Sequence, residues 1–549
     1  MSFARRLTRL RKATTRQTPE ATGHGPNAFQ KGIEAFHESN HAELSLALDT
    51  PLTAACSPGT FMCFILATHM THPIRFRCSR TLSLALTVAF ALFGRLISIP
   101  VFGSAAVPDF AAAREETVGI LSGFIKVDTS NPPGNETKGA QYLQSILQRD
   151  GIASEILELE PGRGNIVARL KGNGKKKPLL LMGHIDVVGV ERSKWTVDPF
   201  GGIIQDGYVY GRGASDDKGM ASVCLETFLL LHRLKVPLDR DVIFLAEAGE
   251  ESTTYVGIDF MVAQHWNKIE CEFALNEGGR IFAQSGKVQY VGVATTEKVP
   301  RPILLSAKGT SGHGSRPRPD NAITHLAGAV AKVGTWQPPM RLNDTTREFF
   351  SRLAKISASD EAFLYGHIQD PALGPMVEEK IRTTNLGYHS MLRTSISPTI
   401  IRGGFRNNVI PGDALATLDV RALPDEDMDK FVSTLRELIN DPAVEVVPAE
   451  GRRRPATLPS KVESEMFRAL ERAQQRLFPG AATLPMMLTG ATDSAQLRAK
   501  GVQAYGLGSV SNDDDSSRVH GNDERISIAG LGKFLEFVWW AVVEASASK

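Results

Sequence analysis

From about residue 113 the chain alternates short, continuously apolar runs with longer amphipathic stretches, and few folds tolerate that rhythm. Pro178–Met182 is apolar throughout, and Asp241–Ala246 and Cys271–Leu275 read as further buried strands. Side chains alternate across a strand, so a run apolar at every position is buried on both faces. Glu115–Lys126, Lys138–Arg149 and Lys218–Leu234 between them carry helical periodicity, with Gly151 as a stop. Strands separated by helices predict a parallel, doubly wound α/β sheet. Near 297 the texture changes. Strands at Ile303–Ala307 and Ala414–Arg421 and helices at Asn321–Val333 and Asp427–Leu438 form an α+β unit, interrupted by a variable stretch from about 337 to 395. After 456 the first texture returns, with helix Glu463–Gln475, strand Val502–Leu507 and helix Leu531–Val543. The expectation is one α/β domain, residues 107–296 and 451–549, split by an inserted smaller domain at 297–450.

The first hundred residues differ. Residues 1–69 have no sustained period and read as a doubtful, disordered extension. Arg75, Arg77 and Arg80 precede the apolar Leu82–Phe93, and Gly103-Ser104-Ala105-Ala106 follows. A basic segment, a short apolar core and a small-residue exit describe a secretory signal peptide at 70–106. The apolar run is too short for a membrane span. Translation is expected to begin near Met70 and to yield a secreted or periplasmic protein with no stable membrane span; a genuine extension or an uncleaved anchor is the alternative. Over 549 residues, 62 Lys and Arg against 60 Asp and Glu give a net charge of +2. Cutting after Ala106 would turn that into −4, and neither value gives an electrostatic reason to expect nucleic acid as a partner.

Acidic residues and histidines cluster at the strand exits, where open α/β sheets bind ligands. His184-Ile185-Asp186 follows the first run. Residues i and i+2 of an extended chain share a side, so His184 could bind a metal while Asp186 supports its imidazole. Asp216-Asp217 precedes the helix from Lys218, where an ordinary N-cap is the plainer reading. Glu250-Glu251 follows the second strand, Asn276-Glu277 ends the third, and His520 stands near the C-terminus. Neighbouring carboxylates repel unless cations hold them. Imidazole and carboxylate donors without thiolates suit zinc, with cobalt or manganese as substitutes.

The motifs GHIDVV, GRGASDDKGM, EAGEES, LNEGG, GTSGHGSRP, NNVIPGD and HGNDERIS occur in that order between about 113 and 546. In this combination the chain resembles the M20 metallopeptidases, which include carboxypeptidase S-like enzymes, aminoacylase-1 and succinyl-diaminopimelate desuccinylase. The resemblance implies a zinc-dependent exopeptidase-like α/β domain with an inserted α+β lid that also dimerises. It makes Asp216 the carboxylate shared by two zinc ions, with His184 and Glu277 completing one site and Glu251 and His520 the other. Glu250 becomes the general base, Asp186 a supporting catalytic carboxylate, and His313 the lid histidine that stabilises the oxyanion, often across a dimer. Asn408, Arg421 and Gly490 become substrate contacts. The substrate is expected to be a small peptide cut by a carboxypeptidase, or an N-acyl amino acid in the alternative.

Rival chemistries fit poorly. Gly309-Thr310-Ser311-Gly312-His313 lacks the second glycine of a nucleophile elbow. Lys171–Lys177 has no Walker A spacing and reads as a solvated hairpin. An inactive, metal-bound peptide-binding protein is a remote alternative, because every ligand position and the base are filled.

Overall fold

A computed structural model describes residues 107–451 and 453–548; the leader and the signal-peptide-like segment lie outside the described residues. Helices α1 (Phe110–Ile125) and α2 (Glu136–Arg149) lead into strands β1 (Ser154–Glu158), β2 (Gly164–Leu170) and β3 (Leu179–His184). Helix α3 (Lys218–Arg233) precedes β4 (Val242–Glu247), β5 (Phe273–Glu277), β6 (Arg280–Gln284) and the long β7 (Lys287–Glu297). The small domain follows: β8 (Ile303–Lys308), α4 (Ala322–Thr335), then helices α5 (Asp344–Ala354), α6 (Ser359–Gly366), α7 (Gly374–Thr384) and α8 (Leu386–Met391), then β9 (Ser395–Gly403), β10 (Asp413–Ala422), α9 (Met428–Ile439) and β11 (Val444–Pro448). The chain returns through α10 (Glu465–Leu477), β12 (Ala482–Leu488), β13 (Gln503–Leu507), the short β14 (Val510–Ser511) and α11 (Ile528–Ser546).

The large sheet runs β1-β2-β4-β3-β5-β13-β7-β6-β14, with β12 beside β7. Its centre, β4-β3-β5-β13, is parallel, as the apolar runs predict; β2 and β7 join that centre antiparallel. Every residue of β3 and β4 is buried, so both faces must be covered. Helices α1, α3 and α11 cover one face, and Ile258, Met261, Ile269 and Leu497 cover the other. Helix α3 is buried from Lys218 to Leu231, and its large apolar side chains each contribute about 1.5–3 kcal/mol of transfer free energy. Register levels the ends of the central strands: His184 lies opposite Glu247, and Glu277 opposite Leu507.

One local expectation is corrected. Lys171–Lys177 is a solvated loop but not a hairpin, because β4 lies between the flanking strands β2 and β3. The smaller sheet runs β9-β10-β8-β11, and α4 and α9 pack on its apolar face. Helices α5 to α8, from the stretch without a sequence assignment, share a core instead with Tyr290, Leu484 and Met487 of the large sheet. Cys224 and Cys271 are buried free thiols in different cores. Among the described residues, no helix is long and apolar enough to cross a membrane.

Candidate metal centre

The levelled strand ends bring His184 to the mouth of the sheet with 1% exposure of its side chain. Its Nδ1 lies 2.9 Å from the carbonyl oxygen of Asp186. That contact gives an Nδ1 proton a carbonyl acceptor, while Nε2 faces Asp216 Oδ1 at 3.1 Å and is the nitrogen a cation would take once the proton held there is displaced. Asp186 does more than support this imidazole. Its Oδ1 accepts the backbone N–H of Glu250 and its Oδ2 that of Glu251, both at 3.1 Å, while Asn131 donates to Oδ2 at 2.8 Å. Burial works to raise this carboxyl, but the hydrogen bonds, led by His184, hold it below the ordinary range. One buried carboxylate thereby anchors a candidate ligand and the turn carrying the candidate base.

Asp216 joins the two imidazoles, 3.1 Å from His184 Nε2 and, through its other oxygen, 3.0 Å from His520 Nε2. His520 Nε2 also lies 3.1 Å from Glu251 Oε1. His520 sits at φ +60°, a left-handed conformation that side chains other than glycine rarely adopt outside constrained sites. Asp217 turns the opposite way: its Oδ2 accepts the backbone N–H of His184 at 3.2 Å. The division between the two aspartates follows from Glu524, whose buried carboxylate accepts the N–H groups of Gly213, Ser215 and Asp216 and pairs with Arg212 at 2.6 Å.

The donor set fits divalent cations. His184, Asp216 and Glu251 offer ligand atoms within 4.8 Å of one another, and so do His184, Glu250 and Glu277. Glu250 thus stands within reach of a cation as well as in the expected position of the base. Burial, reinforced by Asp216 and Glu250, pushes Glu277 well above the ordinary carboxylate range, and burial pushes Glu250 up to about 8. Hydrogen bonds to Asp216 and Glu251 lift His520 to about 10. The cluster therefore draws protons where it lacks positive charge, and cations would displace those protons on binding.

Three groups beside the centre, Arg454, Asp493 and Glu524, are not among the candidates read from the sequence. Arg454 Nη2 lies 2.6 Å from Glu250 Oε1 and its Nη1 3.1 Å from Asp493 Oδ1. Burial disfavours the Arg454 charge, but Asp493 and Glu250 outweigh it and raise the pKa above the arginine range. Asp493 is fully buried. Arg454 follows other arginines in a run resembling a solvated patch, so only the fold reveals its partners. Glu524 had a signal, since it lies in the same motif as His520.

Asp216, Glu250, Glu251, Glu277 and His520 line one cavity of about 960 Å³, together with Arg421 and Gly490. Arg421 Nε donates to Asp419 at 2.9 Å, which fixes the side chain at the wall. The structure does not bring His313 or Asn408 to this cavity. They meet each other elsewhere, where Gly312–His313 pairs with Val409–Ile410 and Gly314 N donates to Asn408 O at 2.8 Å. Both are exposed on a loop tied to the small sheet through Gly309 N and Gly412 O, and the lining of the catalytic cavity does not include them. His325 lies outside the lining of that cavity, with Nδ1 2.6 Å from Asp441.

The profile of peptidase family M20/M25/M40 matches residues 180–539. The probable carboxypeptidase S-like 2 of Dictyostelium discoideum is 30% identical over 374 residues, spanning 66% of this chain and 70% of that protein. The human N-fatty-acyl-amino acid synthase/hydrolase PM20D1 is 26% identical over 458 residues, 80% of this chain and 90% of that protein. Among solved structures, the M20 family metallo-carboxypeptidase Sso-CP2 from Sulfolobus solfataricus superposes with a TM-score of 0.60 at 19% identity, covering 78% of this chain and 99% of that one.

Proposed function

The chain belongs to peptidase family M20/M25/M40, and from that premise we propose a dinuclear zinc hydrolase that cleaves an amide whose amine half carries a free carboxylate. The observation that carries this reading is the convergence of five candidate metal and base residues with the Arg421 side chain on one cavity. His184, Asp216 and Glu277 are assigned to one ion, and Asp216, Glu251 and His520 to the other. When bound, the ions supply Lewis acidity, polarising the substrate carbonyl and acidifying water. Glu250 moves the proton: its carboxylate takes one from water as oxygen attacks the carbonyl carbon, then delivers it to nitrogen as the C–N bond breaks. Arg454 holds Glu250 Oε1 at 2.6 Å and fixes the plane of that carboxylate. Arg421 is assigned to the substrate carboxylate, whose two oxygens its fork can bind together.

Peptides cut at their C-terminus and N-acyl amino acids both meet this description, and the carboxypeptidase S-like and N-fatty-acyl-amino acid relatives support one each. The zinc-loaded protein should turn over members of a mixed panel of dipeptides and N-acyl amino acids. Esterifying the substrate carboxylate should lower kcat/KM about 10- to 100-fold, the worth of a charged hydrogen bond. No turnover on either panel, or equal rates on acids and esters, would overturn the reading.

His313 is assigned to the oxyanion of a second copy, and the small domain supports such a pairing. Strand β9 is an edge strand with Ile400 and Ile401 exposed, and Phe405 just beyond it is 82% exposed. Open apolar edges invite pairing with another chain. Sedimentation should give twice the chain mass, and His313→Ala should slow the dimer without dissociating it. A fully active monomer sinks this assignment.

A further inference from the structure

Lys298 stands where the chain crosses from β7 into the small domain, and it is 0% exposed. Its ammonium donates to Ser390 O at 2.9 Å, to Ser390 Oγ at 3.1 Å and to Ser395 Oγ at 2.7 Å. The three N–H groups of a lysine thus all end on neutral oxygens of α8 and β9. Among the described residues no carboxylate pairs with it. Its neighbour Glu297 is taken by Thr492 and Arg498. Asp419 of β10 is taken by Arg421 at 2.9 Å, and Glu378 of α7 by Arg393 at 2.5 Å. Burial and Arg393 hold His389 of α8 below the ordinary histidine range, so it brings no charge at neutral pH. Three cations, Lys298, Arg393 and Arg421, therefore meet two carboxylates, and the charge left over is that of Lys298.

Backbone pairing sets this charge beside the wall of the catalytic cavity. Pro300, two residues on, pairs with Arg421, and Ser395, which accepts from Lys298, pairs with Arg421 from the other side. Pro300 and Arg421 both line the cavity. We propose that Lys298 is a specificity residue of this centre: its buried, unpaired charge acts through the wall that carries Arg421 and favours substrates that bring a carboxylate. The inference rests on the hydrolase reading above, in which Arg421 meets that carboxylate. A cation buried without a counterion is costly, and an anion arriving at the same wall supplies one. Lys298 touches no substrate; it is a positioning charge that strengthens the field at Arg421. The charge is also conditional on pH. Burial above all, then Arg421 and Arg393, lowers the Lys298 pKa to about 7, with Asp419 opposing. Below that pH the ammonium is present and the wall holds an anion best. As pH rises through 7 the proton leaves, and Arg421, already paired with Asp419, acts alone.

The test compares acetyl-leucine and the dipeptide Ala-Leu, each with its methyl ester, on the zinc-loaded full chain, following amide cleavage as kcat/KM across the pH range on both sides of 7. Acid and ester use the same metal centre and the same base, so the acid-to-ester ratio cancels the titrations of both. In the wild type that ratio should fall about three- to tenfold as pH rises through 7, the size of one charge acting across a partly solvated wall. Lys298→Met keeps the length of the side chain and removes the charge, and Ser390 Oγ and Ser395 Oγ, 3.4 Å apart, remain to bond each other. Its ratio should start below the wild-type value by the same factor on the acid side and stay flat to the alkaline side. Lys298→Gln is the second variant, neutral but still able to donate to the serines, with the same expected result. A role in packing alone would change both substrates together and leave the ratio and its slope in place. A large ratio that is flat in the wild type, or that keeps its slope in both variants, overturns the role of Lys298 alone. A ratio near one at every pH removes Arg421 from the substrate carboxylate, and absence of turnover on acids and esters alike removes the hydrolase reading as well.

Discussion

Glu250→Gln should bind metal as the wild type does and lose about 10²- to 10⁴-fold in kcat, the usual range for a group that transfers protons in the transition state. The substitution is close to isosteric, and what it removes is the ability to accept a proton. The backbone of the turn should not move, because the N–H groups of residues 250 and 251 are held by Asp186 at 3.1 Å. The amide oxygen can still accept from Arg454, now 2.6 Å from Oε1. KM should therefore change little, which separates loss of proton transfer from loss of binding. Metal content by atomic emission, measured on the same preparation as kcat and KM, gives the comparison. A variant within tenfold of the wild-type rate would remove Glu250 from the role of base. A variant that is slow and also lacks metal would reassign it to ligation, which its place beside His184 and Glu277 makes a real alternative outcome.

The fold was legible where burial leaves a local signature. Leu179–Met182 and Val242–Ala246 are apolar at every position because they lie in the parallel centre of a covered sheet. Strand β7 left no such signature: Lys287–Gln289 begins it in partly exposed surroundings, and polar Thr295, Thr296 and Glu297 end it buried. Helix α5 is amphipathic, but nothing local states that Phe349 and Phe350 meet the large sheet and not the small one. The metal-centre candidates were legible because each lies in a recognisable motif: His184 and Glu277 at the ends of strands, Asp216 just before a helix, and Glu251 and His520 in the turns between elements. Arg454 was not, since its partners Glu250 and Asp493 are distant in sequence and a run of arginines carries no mark of burial. Glu524 shows a further limit. A carboxylate that fixes three backbone N–H groups resembles, in sequence, any charged residue of a polar loop.

Asp216→Asn should strip the centre of tightly held zinc, while Asp217→Asn should not, although the two residues are adjacent. Asp216 places one oxygen 3.1 Å from His184 Nε2 and the other 3.0 Å from His520 Nε2. An amide removes the shared charge and presents an N–H₂ group to one imidazole in place of an oxygen ligand. Both proposed ion positions lose a donor at once, so affinity should fall by more than the 10- to 100-fold typical of outer-sphere changes. Asp217 uses an oxygen to accept the His184 N–H at 3.2 Å, and an asparagine oxygen can do the same. The loop itself should survive in both variants, because Glu524 holds the N–H groups of Ser215 and Asp216. Metal that binds only the folded state contributes about 2.7 kcal/mol at a hundred times its Kd. Chelation should accordingly lower the melting temperature of wild type and Asp217→Asn, and leave that of Asp216→Asn nearly unchanged. If the Asp217 variant were the one insensitive to chelator, the shared ligand would be Asp217, and the division of labour set by Glu524 would be wrong.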